Sequence, residues 1–123
     1  MPNRYSVTDA ELEIIKVLWK NGPMTSPAIF AAIPNVEEKN IGTLKTLLTR
    51  LVNKGAVEYK EINQRQYLYT AVVTEDEYIK INRKRMIDLV FDGNPQKLLM
   101  NFVKEEKIGR DDLENLIREI EED

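Results

Sequence analysis

A chain with neither histidine nor cysteine has few reactions open to it, and this sequence of 123 residues lacks both. Imidazole general bases, serine triads of the usual form, thiolate nucleophiles, disulfides and thiolate or imidazole metal sites are all excluded. Carboxylates, lysines, arginines and hydroxyls remain. Paired carboxylates could hydrolyse a glycoside, but Asp and Glu gather in the tail at ordinary surface spacing. No catalytic residue, metal or cofactor is therefore expected. The segment with chemical content is Thr43-Leu44-Lys45-Thr46-Leu47-Leu48-Thr49-Arg50-Leu51, followed by Lys54. If Leu44, Leu47, Leu48 and Leu51 face a core, steps of about 100° per residue turn Gly42, Thr46, Thr49 and Asn53 directly away. Thr43, Lys45 and Arg50 flank that outer face, which carries no acid. Hydroxyls and cations of this kind meet phosphates and base edges in a nucleic acid groove: arginine forks onto guanine, and threonine donates to phosphate or touches a thymine methyl. The alternative is a solvated helix face.

Charge is distributed to match. The formal net charge is −3, yet residues 1–73 hold 9 basic and 7 acidic side chains, against 9 and 14 in 74–123. The N-terminal part is thus positive and the tail acidic, which favours polyanion binding by the former. With 42% hydrophobic and 32% charged residues, the chain has the balance of a globular protein. Its N-terminus lacks a signal-peptide apolar core and no apolar run is long enough to cross a bilayer, so a cytoplasmic location without membrane insertion is expected.

The elements that must position these side chains follow from caps and periodicity. Thr8-Asp9-Ala10-Glu11 is a capping-box pattern opening a helix to Asn21, with Ile14, Ile15, Leu18 and Trp19 on its apolar stripe. A second helix is predicted from about Pro27 to Ile33, with Ser26 as N-cap and Pro27 at the first helical position. The third runs from about Asn40 to Asn53 and ends at Gly55. Val57, Tyr59 and Glu61, then Gln66 to Val73, read as two strands around a tip at Asn63-Gln64-Arg65. Lys60, Gln64 and Arg65 make that tip either a wing gripping phosphate or a soluble hairpin end. Thr74-Glu75-Asp76-Glu77 opens a long helix to about Phe91, Asn94-Pro95 opens another carrying Leu98, Leu99, Phe102 and Val103, and a last helix spans about Arg110 to Glu121.

Three helices followed by two strands is the order of a winged helix-turn-helix. The expected fold is mainly α (α+β): a DNA-binding domain over 1–73 and a three-helix dimerisation region over 74–123. Leu113, Leu116, Ile117 and Ile120 form a narrow stripe on the last helix that needs another surface. That surface is either its own domain or, as expected here, a second copy meeting it along with Leu98, Leu99 and Phe102. A two-fold protein matches palindromic double-stranded DNA.

These residues resemble the penicillinase and methicillin-resistance repressors (BlaI/MecI). The similarity begins at Asp9-Ala10-Glu11-Leu12-Glu13 with Val17-Leu18-Trp19, and continues through Thr43-Leu44-Lys45-Thr46-Leu47-Leu48-Thr49-Arg50-Leu51-Val52-Asn53-Lys54-Gly55 and the pair Tyr67 and Tyr69. Leu98-Leu99-Met100-Asn101-Phe102-Val103 resembles the segment that a membrane sensor metalloprotease cuts in that family when it detects a β-lactam. The resemblance thus implies a repressor of β-lactam resistance genes, with Asn101 and Phe102 flanking the cleaved bond. The outer face of the third helix and the wing supply the expected DNA contacts, Lys45, Arg50, Lys54, Lys60 and Arg65 mainly to phosphate and Thr43, Thr46 and Thr49 to bases. Copper-responsive relatives use tail cysteines, which are absent. Lys39-Asn40-Ile41-Gly42 departs from the family's Trp-Ser start to the recognition helix, leaving operator sequence open. A repressor of the same fold answering to a small ligand, or a winged helix used for protein contact, are the alternatives.

Overall fold

Side-chain caps set most of the helix starts. In a computed structural model the described residues are 4–106 and 108–122, with side chains described through 119. Helix α1 (Asp9–Asn21) begins with the complete capping box: the Thr8 hydroxyl oxygen accepts from the Glu11 amide at 3.2 Å, and the Glu11 carboxylate accepts from the Thr8 amide at 3.1 Å. Helix α3 (Ile41–Asn53) starts on Asn40, whose Oδ1 accepts from the amides of Gly42 and Thr43. Helix α5 (Pro95–Glu105) starts on Asn94 with Pro95 in its first turn, and α4 (Glu75–Val90) and α6 (Arg110–Glu122) complete the C-terminal half. At α4 the Glu77 carboxylate accepts from the hydroxyls of Thr74 and Tyr5, while the Glu77 amide donates to Thr74 Oγ1.

The start of α2 (Ser26–Ala32) differs from the expectation. Thr25, not Ser26, is the N-cap, and it makes no side-chain capping bond. The cause is a third strand: β1 (Met24–Thr25) pairs antiparallel with β3 (Gln66–Ala71), Met24 opposite Tyr69, and β3 pairs with β2 (Val57–Asn63). The sheet order is β1-β3-β2. Two residues are too few to show alternation, so the strand is invisible in the sequence and exists only because β3 offers an open edge. A 3-10 turn at Val36–Glu38 also went unpredicted. The hairpin tip is tighter than expected, since Asn63 pairs with Gln66 and leaves only Gln64 and Arg65 in the turn. Arg65, the second of the two, adopts the left-handed φ of 63°.

The chain divides into two compact units, the first ending at Ile81 and the second beginning at Asn82. The first unit holds the core: Ile14, Ile15, Leu18, Ile29, Phe30, Ile33, Leu44, Leu47, Leu48, Leu51, Val57 and Val73 are buried together. Each such side chain contributes about 1.5–3 kcal/mol by leaving water. Trp19 pins α1 to the end of the sheet and the start of α4, its Nε1 donating to the Val73 carbonyl at 2.8 Å and its ring lying 5.6 Å from that of Tyr78. In the second unit Ile87, Phe91, Leu98, Val103, Ile108 and Leu113 are half-buried, and no described residue there is buried outright.

Candidate nucleic-acid interface

The predicted register of α3 holds in the structure. Leu44, Leu47, Leu48 and Leu51 are buried, whereas Gly42, Thr43, Lys45, Thr46, Thr49, Arg50 and Asn53 are exposed. No acid lies on α3 at all, so its only charges, Lys45 and Arg50, are positive. At about 100° per residue, Lys45 and Arg50 stand on opposite edges of an uncharged central strip formed by Gly42, Thr46, Thr49 and Asn53. Gly42 also protects the cap, because a Cβ there would lie 3.0 Å from Asn40 Oδ1. The hydroxyls of Thr46 and Thr49 turn back onto the helix, donating to the carbonyls of Gly42 and Lys45, each at 3.0 Å. Nothing in residue type or spacing reveals those two bonds, since an exposed helical threonine has either choice.

On the wing, Lys60 and Arg65 are exposed on β2 and at the tip, alongside the exposed acids Glu58 and Glu61. The wing is thus less one-sided than α3. It carries an aromatic cluster that charge patterning does not show: Tyr59 packs edge-on against Tyr67 at 5.4 Å and tilted against Tyr69 at 5.8 Å. Burial and the two neighbouring tyrosines push the Tyr69 hydroxyl above its ordinary range.

Lys54 has partners within the chain. Its Nζ donates to the Ser6 carbonyl at 2.9 Å and to Glu11 Oε1 at 2.6 Å. The Glu11 side chain is 1% exposed, and its Oε2 has no partner among the described residues. Burial by itself drives this carboxyl upward. The Lys54 ammonium together with the Thr8 amide and hydroxyl outweighs that and holds it below the usual range. Lys54 is therefore committed to neutralising a buried acid, and releasing it to a phosphate would strand Glu11. Helix α3 ends at Asn53, and Lys54 is its C-cap residue.

In the second unit the tail residues differ in exposure. Leu99 is 58% exposed, Phe102 51%, Leu116 54% and Ile117 48%, while Leu98 and Leu113 are half-buried. The Ile120 side chain lies outside the described residues. Asn101 and Phe102 sit in the interior of α5, not in a loop. No group of three potential metal ligands and no helix long and apolar enough to span a membrane occurs among the described residues.

The family model for the penicillinase repressor matches residues 7–122, nearly the whole chain. The chain belongs to the penicillinase repressor family. The penicillinase repressor of Bacillus licheniformis is 25% identical over 116 residues, covering 94% of this chain and 90% of that protein. The methicillin resistance regulatory protein MecI of Staphylococcus aureus strain N315 is 29% identical over 112 residues, covering 91% and 90%. Among solved structures, that of the DNA-binding domain of the repressor BlaI matches at 30% identity with a TM-score of 0.55, covering 64% of this chain and 95% of that one. This penicillinase repressor family member is thus a transcriptional repressor of BlaI/MecI type with a DNA-binding winged-helix domain, and the family is not enzymatic.

Proposed function

We propose that the chain acts as a cytoplasmic homodimer placing two α3 helices in successive major grooves of a palindromic operator, upstream of β-lactam resistance genes. The observation that carries this reading is the acid-free outer face of α3 bounded by Lys45 and Arg50. Lys45, Arg50, Lys60 and Arg65 are assigned to phosphates, and Thr43, Thr46 and Thr49 to base edges. Four phosphates per protomer make eight per dimer, so log K should fall against log salt with a slope of about −7. Replacing Lys45 and Arg50 by alanine removes four of those contacts from the dimer and should flatten the slope to about −3.5 while weakening retention in a gel. Unchanged retention would overturn the assignment.

Dimerisation is assigned to the exposed apolar residues of the second unit, Leu99, Phe102, Leu116 and Ile117, with Leu98, Leu113 and Ile120 beside them in sequence. Release is assigned to a membrane sensor metalloprotease cutting between Asn101 and Phe102. Both residues are exposed, which supports access. The bond itself lies inside α5, Asn101 being six residues from its start and four from its end. Proteolysis of a helical bond proceeds through a transiently opened state, so α5 must unwind locally before it is cut. Cleavage there separates Phe102, Val103 and the whole of α6 from the DNA-binding unit.

A further inference from the structure

The central strip of α3 is built to be short and uncharged. Gly42 contributes no side chain, and Thr46 and Thr49 are the largest groups between the cations at the two edges apart from Asn53 at the C-terminal end. A threonine hydroxyl has one hydrogen, and in both residues it is spent on a backbone carbonyl of the preceding turn. Neither side chain retains a donor. Phosphate oxygens, the N7 and O6 of guanine, the N7 of adenine and the O4 of thymine are all acceptors, so none can be bonded by these hydroxyls as they stand. What Thr46 and Thr49 still offer to a groove is a methyl group and acceptor lone pairs. The one apolar feature on any base edge in the major groove is the C5 methyl of thymine.

Building on the assignment of α3 to a major groove, we propose that Thr46 and Thr49 determine specificity by methyl-to-methyl contact with thymine rather than by hydrogen bonding. The division of labour follows the strip: Lys45 and Arg50 at its edges take phosphates, which carry no sequence information, and the methyls at its centre select the base. Gly42 belongs to the same device. A side chain there would crowd the Asn40 cap and fill the strip one turn ahead of Thr46.

The test uses the full chain and a duplex selected by it from random DNA. Each half-site should contain thymine at the positions facing α3. Replacing one such thymine by deoxyuridine, which removes only the 5-methyl, should weaken binding about fourfold per half-site, the equivalent of about 0.8 kcal/mol for one buried carbon. Thr46→Val, which keeps a methyl and loses the hydroxyl, should bind within about twofold of the parent. Thr46→Ser, which keeps the hydroxyl and loses the methyl, should cost about fourfold and abolish the deoxyuridine penalty at its partner base; the Thr49 pair should behave alike at another base. Selected sites lacking thymine, tight binding indifferent to the 5-methyl, or a Thr→Val change more costly than Thr→Ser would each overturn the proposal while leaving α3 as the DNA-contacting helix. Failure of the full chain to retain any duplex would instead overturn the groove assignment on which the proposal rests.

Discussion

The two units of this chain use amphipathic helices to opposite ends. In the first, the leucine face of α3 is covered within the chain, Leu51 reaching 0% exposure beneath α1 and the sheet. In the second, the stripe of α6 has the same i, i+3, i+4 spacing, yet Leu116 and Ile117 remain about half exposed and the three helices pack on one another only sparsely. An apolar stripe declares that a face is to be buried; it does not declare by what. The first unit closes its own core, and the second leaves large apolar side chains exposed, the surface to which dimerisation is assigned.

Truncation should separate the two most sharply. A chain ending at Asn101 should keep the first unit folded, sediment as a monomer, and lose about 10²- to 10⁴-fold in operator affinity as the two heads become unlinked. A dimer that still bound as tightly would erase the contrast between the units. Single leucines should sharpen it further. Leu51→Ala should destabilise the first unit by about 2–5 kcal/mol at any protein concentration, whereas Leu116→Ala should lower Tm by an amount that depends on protein concentration, because it weakens an assembly. Equal, concentration-independent shifts would show the second unit to be self-sufficient.

Acid should act on the first unit through a group that has no counterpart among the described residues of the second. The folded Glu11 carboxyl lies below its unfolded value of about 4.3. Its contribution is therefore complete above about pH 4.3 and is lost as pH falls through the lower folded value. Glu11→Gln should cost about 1–3 kcal/mol at neutral pH, where Lys54 loses its carboxylate partner and keeps only the Ser6 carbonyl, and should remove this part of the acid sensitivity. Denaturant midpoints measured from pH 7 down to pH 2 would show it; parallel curves for parent and variant would mean that Glu11 carries none of the pH dependence. The described ion pairs of the second unit, Lys84 with Asp88, Lys97 with Asp92 and Arg110 with Glu114, are all exposed and have little to lose.

Local signals carried most of the first unit. Thr8 with Glu11, and Asn40, cap where their types and spacing said they would, as Asn94 does in the second unit, because a cap is satisfied within four residues of chain. The outer face of α3 was legible for the same reason: once four leucines define the inside, helix geometry defines the outside. Tyr59, Tyr67 and Tyr69 were legible as strand residues but not as a cluster, which needed the register of β2 on β3.

By itself, then, the order of residues determined the helices, the polarity of the α3 face, the positive head and acidic tail, and the exclusion of imidazole and thiol chemistry. Each depends on neighbours within a few positions or on composition. Tertiary structure alone decided that Met24 and Thr25 become a strand, that Lys54 neutralises Glu11 across 43 positions of sequence, and that Leu116 and Ile117 remain about half exposed. These depend on which distant groups arrive at the same place, and a buried carboxylate or an open sheet edge takes whatever partner the packing brings within reach.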